Sequence, residues 1–509
     1  ARSIGTGKIG GKAAGMHLAW RVLQEREKDD PIEVGPRVKV PESWFIASDA
    51  YYEFIETNDL FSFLNQKYKD LDQIRAEYQV QREYFETTAR LPQKVIRRLS
   101  EILDEVGTSP LIARSSSLLE DNFGTAFAGK YETHFAANQG DRDQRLRQLC
   151  QAVLKVYASG LNPNALAYRK QMGLIDYDER MGVLIQKVEG TPYRGHFFPQ
   201  MAGVGFSHNP YRWTTQIDRK GGFLRIVWGL GTRAVDRVGG DYPRMVALSN
   251  PTLRPERSAR DIQRCSQHYI DTIDLASNEL VTVPVNDLIR SDTPALKFMA
   301  SIAEDGDLLP IHLDDPRIAP DRYVLTFDRL LRSERFVMIM RTILKKLERA
   351  YGWPVDIEYT VEVIPGLDPD YKITLLQCRP QASREEGQTV TVPRNIPSER
   401  VVFASSGTVL SGKVSNIRYV VYVDPEHYSH VQTMRERNQM ARVIGRLNQK
   451  LAGNAFILVG PGRWGSSNPE LGVPVSYADI FHVDALVEVP LAIRDEEPEA
   501  SYGTHFFQD

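Results

Sequence analysis

Three stretches hold residues whose types and spacing suit the handling of a polyanion. The first is Gly10-Gly11-Lys12, which opens a run with helical apolar spacing. Backbone N–H groups at a helix start, with one lysine, suit a phosphate. A flexible terminus with a solvated lysine accounts for the same residues. The second is Leu111-Ile112-Ala113-Arg114-Ser115-Ser116-Ser117, followed by Glu120 and Asp121. An arginine leaving a short apolar strand can clamp phosphate oxygens with its two-pronged guanidinium, and the serines add hydrogen bonds. A capped helix start with an ordinary salt bridge is the plainer alternative. The third pairs Asp356-Ile357-Glu358 with Gln377-Cys378-Arg379. In a strand, Asp356 and Glu358 share a face, and two carboxylates there repel unless a cation lies between them. A hard ion such as Mg²⁺, shared with substrate phosphates and helped by the Gln377 amide oxygen, answers that need. A solvated strand edge is the competing reading.

The opening also holds Gly5-Thr6-Gly7-Lys8-Ile9-Gly10, formally a G-x-G-x-x-G. A dinucleotide fold needs a strand before it and an acid about 20 residues later at a strand end. There is no room for that strand, and the nearby acids lie in a polar loop. The pattern is not a P-loop either, since Ala13 follows Lys12.

The elements that must position these residues follow from periodicity. A helix is expected over 13–26, a short strand at Trp44-Phe45-Ile46, and helices from Asp49 to about Val106. Strands are expected at Leu111-Ile112-Ala113-Arg114, Val183-Leu184-Ile185-Gln186 and Leu224-Arg225-Ile226-Val227. One helix is expected over about 145–170 and another over about 333–351, followed by a hairpin of 355–363 and 371–378. The polar stretch 382–400, with Pro393 and Pro397, is the best domain boundary. Beyond it, strands at 419–423, 456–459 and 486–489 with a helix over 431–451 predict a smaller α/β unit. The class is α/β (α+β), with units at 1–385 and 386–509. There is no internal repeat.

Composition removes several classes. Lys+Arg number 63 and Asp+Glu 66, so the net charge of −3 argues against a general nucleic-acid binder. Hydrophobic residues at 42% supply several cores, which excludes a mainly disordered chain. Cys150, Cys265 and Cys378 are too scattered for a disulfide framework or a zinc site, which points to a reducing, cytoplasmic setting. No apolar run approaches a membrane span and no signal peptide is visible. A chain opening on Ala1 and stopping at Asp509 without a helix-ending signal reads as trimmed.

These stretches, in this order, resemble the ATP-binding half of the phosphoenolpyruvate synthase and pyruvate phosphate dikinase family. Further likenesses are Ala128-Gly129-Lys130-Tyr131-Glu132-Thr133, Met181 to Gln186, Gly203 to Ser207 with Asn209-Pro210, and Trp228-Gly229-Leu230-Gly231. The resemblance covers about residues 4–381. It implies an ATP-grasp-like module whose two lobes close over ATP and magnesium. Lys12 and Arg114 are then expected on the phosphates, and Gln186 and Val188 at the adenine hinge. Asp356, Glu358 and Gln377 surround the metal, with Arg379 near the triphosphate. The sequence departs from the family at Thr232-Arg233, where a glutamate usually follows Gly-Leu-Gly. The family's Thr-Ser/Cys-His-Ala-Ala run and its barrel for pyruvate or phosphoenolpyruvate are missing from this chain.

Ser405-Ser406-Gly407-Thr408 to Val414 is similar to the opening of the family's mobile phosphohistidine domain. A strand at 486–489 is followed later by Ser501-Tyr502-Gly503-Thr504-His505, in the family's order though with different flanks. Imidazole is a competent phosphoryl acceptor, so His505 is the candidate carrier, with a structural histidine beside a cap as the alternative. His427 and His430 are lesser rivals. Gly460-Pro461-Gly462-Arg463-Trp464-Gly465-Ser466-Ser467 suits an anion or, equally, a rigid turn packed by Trp464. The expected activity is Mg²⁺-dependent phosphoryl transfer from ATP to a histidine and on to a small-molecule acceptor or partner domain. Direct transfer to another acceptor and ATP sensing without chemistry are the rivals.

Overall fold

The structure is a computed structural model. It describes residues 2–120, 129–175, 179–210, 214, 216–235, 241–256, 258–312, 315–381, 396–404, 413–431, 433–466 and 472–489.

The first lobe is built on a five-stranded sheet. Its order is Ser3–Ile4, Ser43–Ile46, Met181–Lys187, Leu111–Ser117 and Thr133–Ala136. Strand alternation splits its side chains between two faces. Trp44, Ile46, Leu111, Ala113, Val183 and Ile185 enter a core shared with Phe54, Phe85, Leu99, Val153 and Tyr157 of the surrounding helices. Phe45 and Leu184 pack with Ala13 on the other face. Helix Gln93–Val106 shows why this layer forms. Val95, Leu99, Ile102, Leu103 and Val106 recur three or four apart and are all buried.

One helix expected over 145–170 is in fact two, Arg142–Ser159 and Pro163–Gln171. Asn162 caps the second through the Asn164 N–H, and Pro163 fits its first turn while breaking the first helix.

The second lobe carries a six-stranded sheet. Its order is Arg244–Ala247, Phe223–Val227, Met201–Phe206, Val355–Ile364, Asp370–Pro380 and Val38–Lys39. The hairpin of the two long strands is antiparallel, with Asp356 opposite Arg379 and Glu358 opposite Gln377. Ile357, Tyr359 and Val361 point into the main core under helix Glu334–Tyr351. That leaves Asp356 and Glu358 on the opposite face, beside Phe206 and Val204 of the next strand. Two small sheets, of four and three strands between residues 191 and 325, escaped the periodicity reading. Strands such as Glu279–Pro284 are largely solvent-facing and give little apolar signal.

Helix Gly11–Gln24 joins the lobes. Its Gly15 sits so close to strand Asp370–Pro380 that a Cβ there would lie 2.7 Å from the Cys378 carbonyl oxygen. The Tyr351 hydroxyl donates to the Gly15 carbonyl at 3.1 Å. The N-terminal end of the same helix touches the first lobe, where the Ala13 N–H donates to Ser116 Oγ at 3.2 Å.

The C-terminal unit is a three-stranded parallel sheet, Tyr419–Tyr422, Phe456–Pro461 and Ala485–Val489, with helix Met434–Lys450 between the first two. Ile444, Leu458, Trp464, Val473 and Val475 form its core. Among the described residues no helix is long and apolar enough to cross a membrane.

One buried ion pair ties the second lobe's helix to the segment after Gly11–Gln24. The Lys346 side chain is fully buried, and its Nζ lies 2.6 Å from Asp30 Oδ2. Burial alone would raise the Asp30 carboxyl, but the Lys346 hydrogen bond, a backbone hydrogen bond at Glu27 and the Lys346 and Arg349 charges together hold the group below the usual carboxylate range. A depressed folded value stabilises the fold above the unfolded value and loses that contribution as pH falls through the folded one. Asp30→Asn strands a buried cation, although Glu27 remains 3.6 Å away. The expected loss is about 3 kcal/mol at neutral pH. Denaturant unfolding at several pH values should show the gap to the unaltered chain closing only below about pH 4.

Candidate nucleotide site

Gly10 begins the site. Its φ is 84°, and a Cβ there would lie 1.7 Å from the Ser116 carbonyl oxygen. The turn into helix Gly11–Gln24 therefore rests directly on the end of strand Leu111–Ser117. The first N–H groups of a helix have no partner within it. Lys12, in that first turn, is buried, with Nζ donating to Ser115 Oγ at 3.3 Å and Glu120 Oε1 at 3.2 Å. Ser115 Oγ donates to the same carboxylate at 2.8 Å, and the Ser117 N–H to its other oxygen at 2.9 Å.

Arg114 points across to the second lobe. Its Nη2 lies 2.5 Å from Glu358 Oε2 and 2.7 Å from Gln377 Oε1, and Nη1 reaches the Leu376 carbonyl at 3.4 Å. Arg114 Nε is buried with no hydrogen-bond partner among the described residues. Burial would raise the Glu358 carboxyl, yet Arg114, with Lys12 and Arg379 behind it, holds it below the usual range. Arg379 Nε donates to Asp356 Oδ1 at 2.7 Å, and Asp356 is buried. Lys12, Arg114, Asp356, Glu358, Gln377 and Arg379 thus meet where the two lobes face each other. Such a cluster, cations and hard oxygens brought together from two lobes, is suited to a polyphosphate.

The described family that matches this chain is "Pyruvate phosphate dikinase, AMP/ATP-binding domain", over residues 6–400. The chain belongs to that family. It is 28% identical over 267 residues to the uncharacterized phosphotransferase YvkC of Bacillus subtilis, covering 52% of this chain and 24% of that protein. It is 21% identical over 389 residues to a probable phosphoenolpyruvate synthase of Methanocaldococcus jannaschii, covering 74% and 26%. It is 24% identical over 386 residues to a phosphoenolpyruvate synthase of Deinococcus radiodurans, covering 73% and 40%. The chain therefore spans between a quarter and two fifths of the length of these relatives.

Within this dikinase-family domain the acidic strand differs from its expected form in one respect. The repulsion between Asp356 and Glu358 is relieved by arginines: Arg379 answers the first and Arg114 the second. Among the described residues no group of three or more His, Cys, Asp or Glu is placed to hold a metal ion. The donor chemistry still fits a hard cation, because the Glu358 and Gln377 oxygens converge on a single point, occupied by Arg114 Nη2.

The expected hinge residues are more committed to packing. Gln186 is buried, with its amide nitrogen 3.1 Å from Met16 Sδ and 3.3 Å from Ser43 Oγ. The Val188 side chain joins the main core and its N–H donates to the Pro110 carbonyl at 2.9 Å. Gly5-Thr6-Gly7 is no phosphate cradle. Asp49 takes the N–H groups of Thr6 at 2.9 Å and Gly7 at 3.1 Å.

The family-divergent Thr232-Arg233 pair is neutralised locally. Thr232 Oγ1 donates to Asp271 Oδ2 at 2.7 Å, Arg233 Nε to Asp271 Oδ1 at 2.9 Å, and Arg233 also pairs with Asp241. Periodicity gave no hint of these aspartates, nor of Glu179. The Glu179 side chain is 5% exposed, accepts from the Tyr131 hydroxyl at 2.5 Å and from Ser117 Oγ, and lies 3.2 Å from Arg169.

In the C-terminal unit the Gly460 loop is a packed turn. A Cβ at Gly460 would lie 2.6 Å from the Trp464 ring, and Trp464 Nε1 donates to the Val487 carbonyl at 3.1 Å. His427 is exposed beside Asp424, and His430 bonds the Glu426 carbonyl. His505 lies outside the described residues, as do Asp121, Ala128, Ser467 and the run from Ser405 to Gly412.

Proposed function

We propose that this chain binds Mg·ATP between its lobes in the ATP-grasp manner and passes a phosphoryl group to a histidine, His505, for onward transfer. The acceptor is a small molecule or a partner domain. The observation that carries the reading is that Arg114 of the first lobe meets Glu358 and Gln377 of the second, with the Lys12 charge also acting on Glu358. Membership of an AMP/ATP-binding family and relatives named as phosphotransferases support it.

Phosphoryl transfer needs little covalent help from the protein; positioning and charge stabilisation do most of the work. Lys12 and Arg114 orient the phosphate oxygens and offset charge that builds as the P–O bond lengthens. Glu120, hydrogen-bonded to Ser115 and Ser117, keeps the Lys12 ammonium aimed. Arg379, tethered by Asp356, lies one strand away. Glu358, Gln377 and Asp356 would hold magnesium, which when bound supplies charge neutralisation at the phosphates. Attack by an imidazole nitrogen forms the N–P bond. The electron pair of the broken P–O bond leaves with the nucleotide oxygen, and the imidazolium proton passes to solvent.

Incubation with radiolabelled ATP and magnesium tests this reading. The protein should acquire a label that is lost in acid and survives base. His505→Ala should remove it, and EDTA should suppress it at least about a hundredfold. Tight Mg·ATP binding with no label on the protein would favour sensing or direct transfer to another acceptor instead.

A further inference from the structure

The C-terminal unit is not merely tethered. Its segment Val475 to Phe481 docks on the first lobe between helices Leu71–Thr87 and Pro163–Gln171. The contacts are specific. Arg75 lies 2.5 Å from Asp479, whose side chain is buried. The Ala478 N–H donates to Asn164 Oδ1 at 3.1 Å, and Gln171 Nε2 donates to the Phe481 carbonyl at 3.0 Å. Ala478 and Phe481 pack on Leu71 and Ala167. Asn164, Tyr168 and Gln171 follow the i, i+4, i+7 spacing of one helix face, and that face is given to the C-terminal unit.

At the centre of the junction lies Lys130, buried between two aromatic faces. Its Nζ is 4.5 Å from the Tyr168 ring and 4.4 Å from the Tyr477 ring. Tyr168 belongs to the first lobe and Tyr477 to the C-terminal unit, so each unit supplies one half of the sandwich. A desolvated ammonium between two ring faces is held strongly. The next residue, Tyr131, donates to Glu179, and Glu179 accepts from Ser117. The Ser117 N–H donates to Glu120, and Glu120 accepts from Lys12. Arg169, beside Tyr168 on the docking helix, pairs with the same Glu179. A chain of buried bonds therefore runs from Tyr477 to the lysine of the nucleotide site.

We infer that Tyr477 is a positioning residue for that site. By closing the sandwich around Lys130, the docked C-terminal unit fixes the Glu179–Ser117–Glu120–Lys12 network and raises the first lobe's affinity for ATP. The inference rests on the ATP reading above. Linkage requires the converse as well: ATP must tighten the docking by the same factor.

The test uses the full chain and Mg·ATP. Calorimetric titration should give an affinity about tenfold weaker for Tyr477→Ala, within the usual range of coupling between sites. Tyr477→Phe keeps the ring face and should bind within about twofold of the unaltered chain. Arg75→Ala loosens the same docking from the other side, and should weaken binding about threefold if Tyr477→Ala fails to fold. Saturating ATP should slow hydrogen exchange over residues 476–481 in the unaltered chain and leave it unchanged in Tyr477→Ala. A purely structural Tyr477 would lower thermal stability and leave affinity alone. Faster exchange over 476–481 with unchanged ATP affinity in Tyr477→Ala or Arg75→Ala overturns the coupling. Failure of the unaltered chain to bind ATP overturns the nucleotide reading itself, and the coupling with it.

Discussion

Arg114→Ala is expected to lower ATP-dependent labelling by at least about a thousandfold, the scale on which a phosphate-facing arginine acts. The reason is geometric. Arg114 is the side chain that crosses from the first lobe to the Glu358–Gln377 pair of the second. Without it the site loses a fork for phosphate oxygens and the largest charge holding the Glu358 carboxyl down. The fold should survive. The Glu358 side chain is 24% exposed, so water reaches it, and Lys12 and Arg379 still act on it. A stability loss of about 1–3 kcal/mol is expected from denaturant unfolding. Arg114→Lys restores the charge without the fork, and should recover only part of the rate. Single-turnover labelling with thermal unfolding as the control decides the matter. Labelling within tenfold of the unaltered chain, in a folded Arg114→Ala protein, rules out this role.

Lys12 is a less clean target. Its partner Glu120 is 4% exposed, so Lys12→Ala leaves a nearly buried carboxylate whose remaining hydrogen bonds among the described residues come from Ser115 and Ser117. Some of any lost activity would then come from a disturbed strand end and not from the missing ammonium.

The contrast marks what was legible in the sequence. A β-rich run placed Arg114 on a strand, which continues past the expected end to Ser117, and alternation placed Asp356 and Glu358 on one face of another. Both features are local. The identity of the cation between the carboxylates was not, because Arg114 and Glu358 are 244 residues apart and meet only through the packing of two lobes. Magnesium is the chemically economical expectation for that strand, and the fold adds a pairing that spacing does not show, Arg379 with Asp356 and Arg114 with Glu358. The break at Asn162-Pro163 had a local signal, a cap residue followed by proline, which the apolar period of the flanking helices concealed. Glu179 had none. It lies in a polar stretch and gains its meaning from Tyr131, Ser117 and Arg169, which the fold brings to it. The docking of the C-terminal unit is equally silent in sequence, since Tyr477 and Lys130 reveal their partnership only as two faces of one junction.

The second large effect is expected at Gly10. Its φ of 84° and ψ of 170° form a conformation that is essentially reserved for glycine. The added methyl of Gly10→Ala would also lie 1.7 Å from the Ser116 carbonyl oxygen and 2.4 Å from its carbon. Those are backbone atoms of the strand that carries Arg114, so no side-chain rotation relieves the clash. The turn must move away from the strand or change its dihedrals. Either response shifts the first turn of the lysine helix, which Ser116 holds through the Ala13 N–H at 3.2 Å and the Ile9 carbonyl at 2.8 Å. A loss of roughly 3–5 kcal/mol is expected, with ATP binding at least about a hundredfold weaker in whatever fraction remains folded. Gly107→Ala separates the dihedral from the clash. Gly107 also has a positive φ, 64°, but nothing lies within 4 Å of a Cβ there. It follows helix Gln93–Val106, away from Lys12 and Arg114, and should cost about 1–3 kcal/mol with ATP affinity unchanged. Denaturant unfolding and ATP titration on both variants discriminate sharply. Equal, small losses at the two glycines would mean that the turn at Gly10 does not set the distance between Lys12 and Arg114.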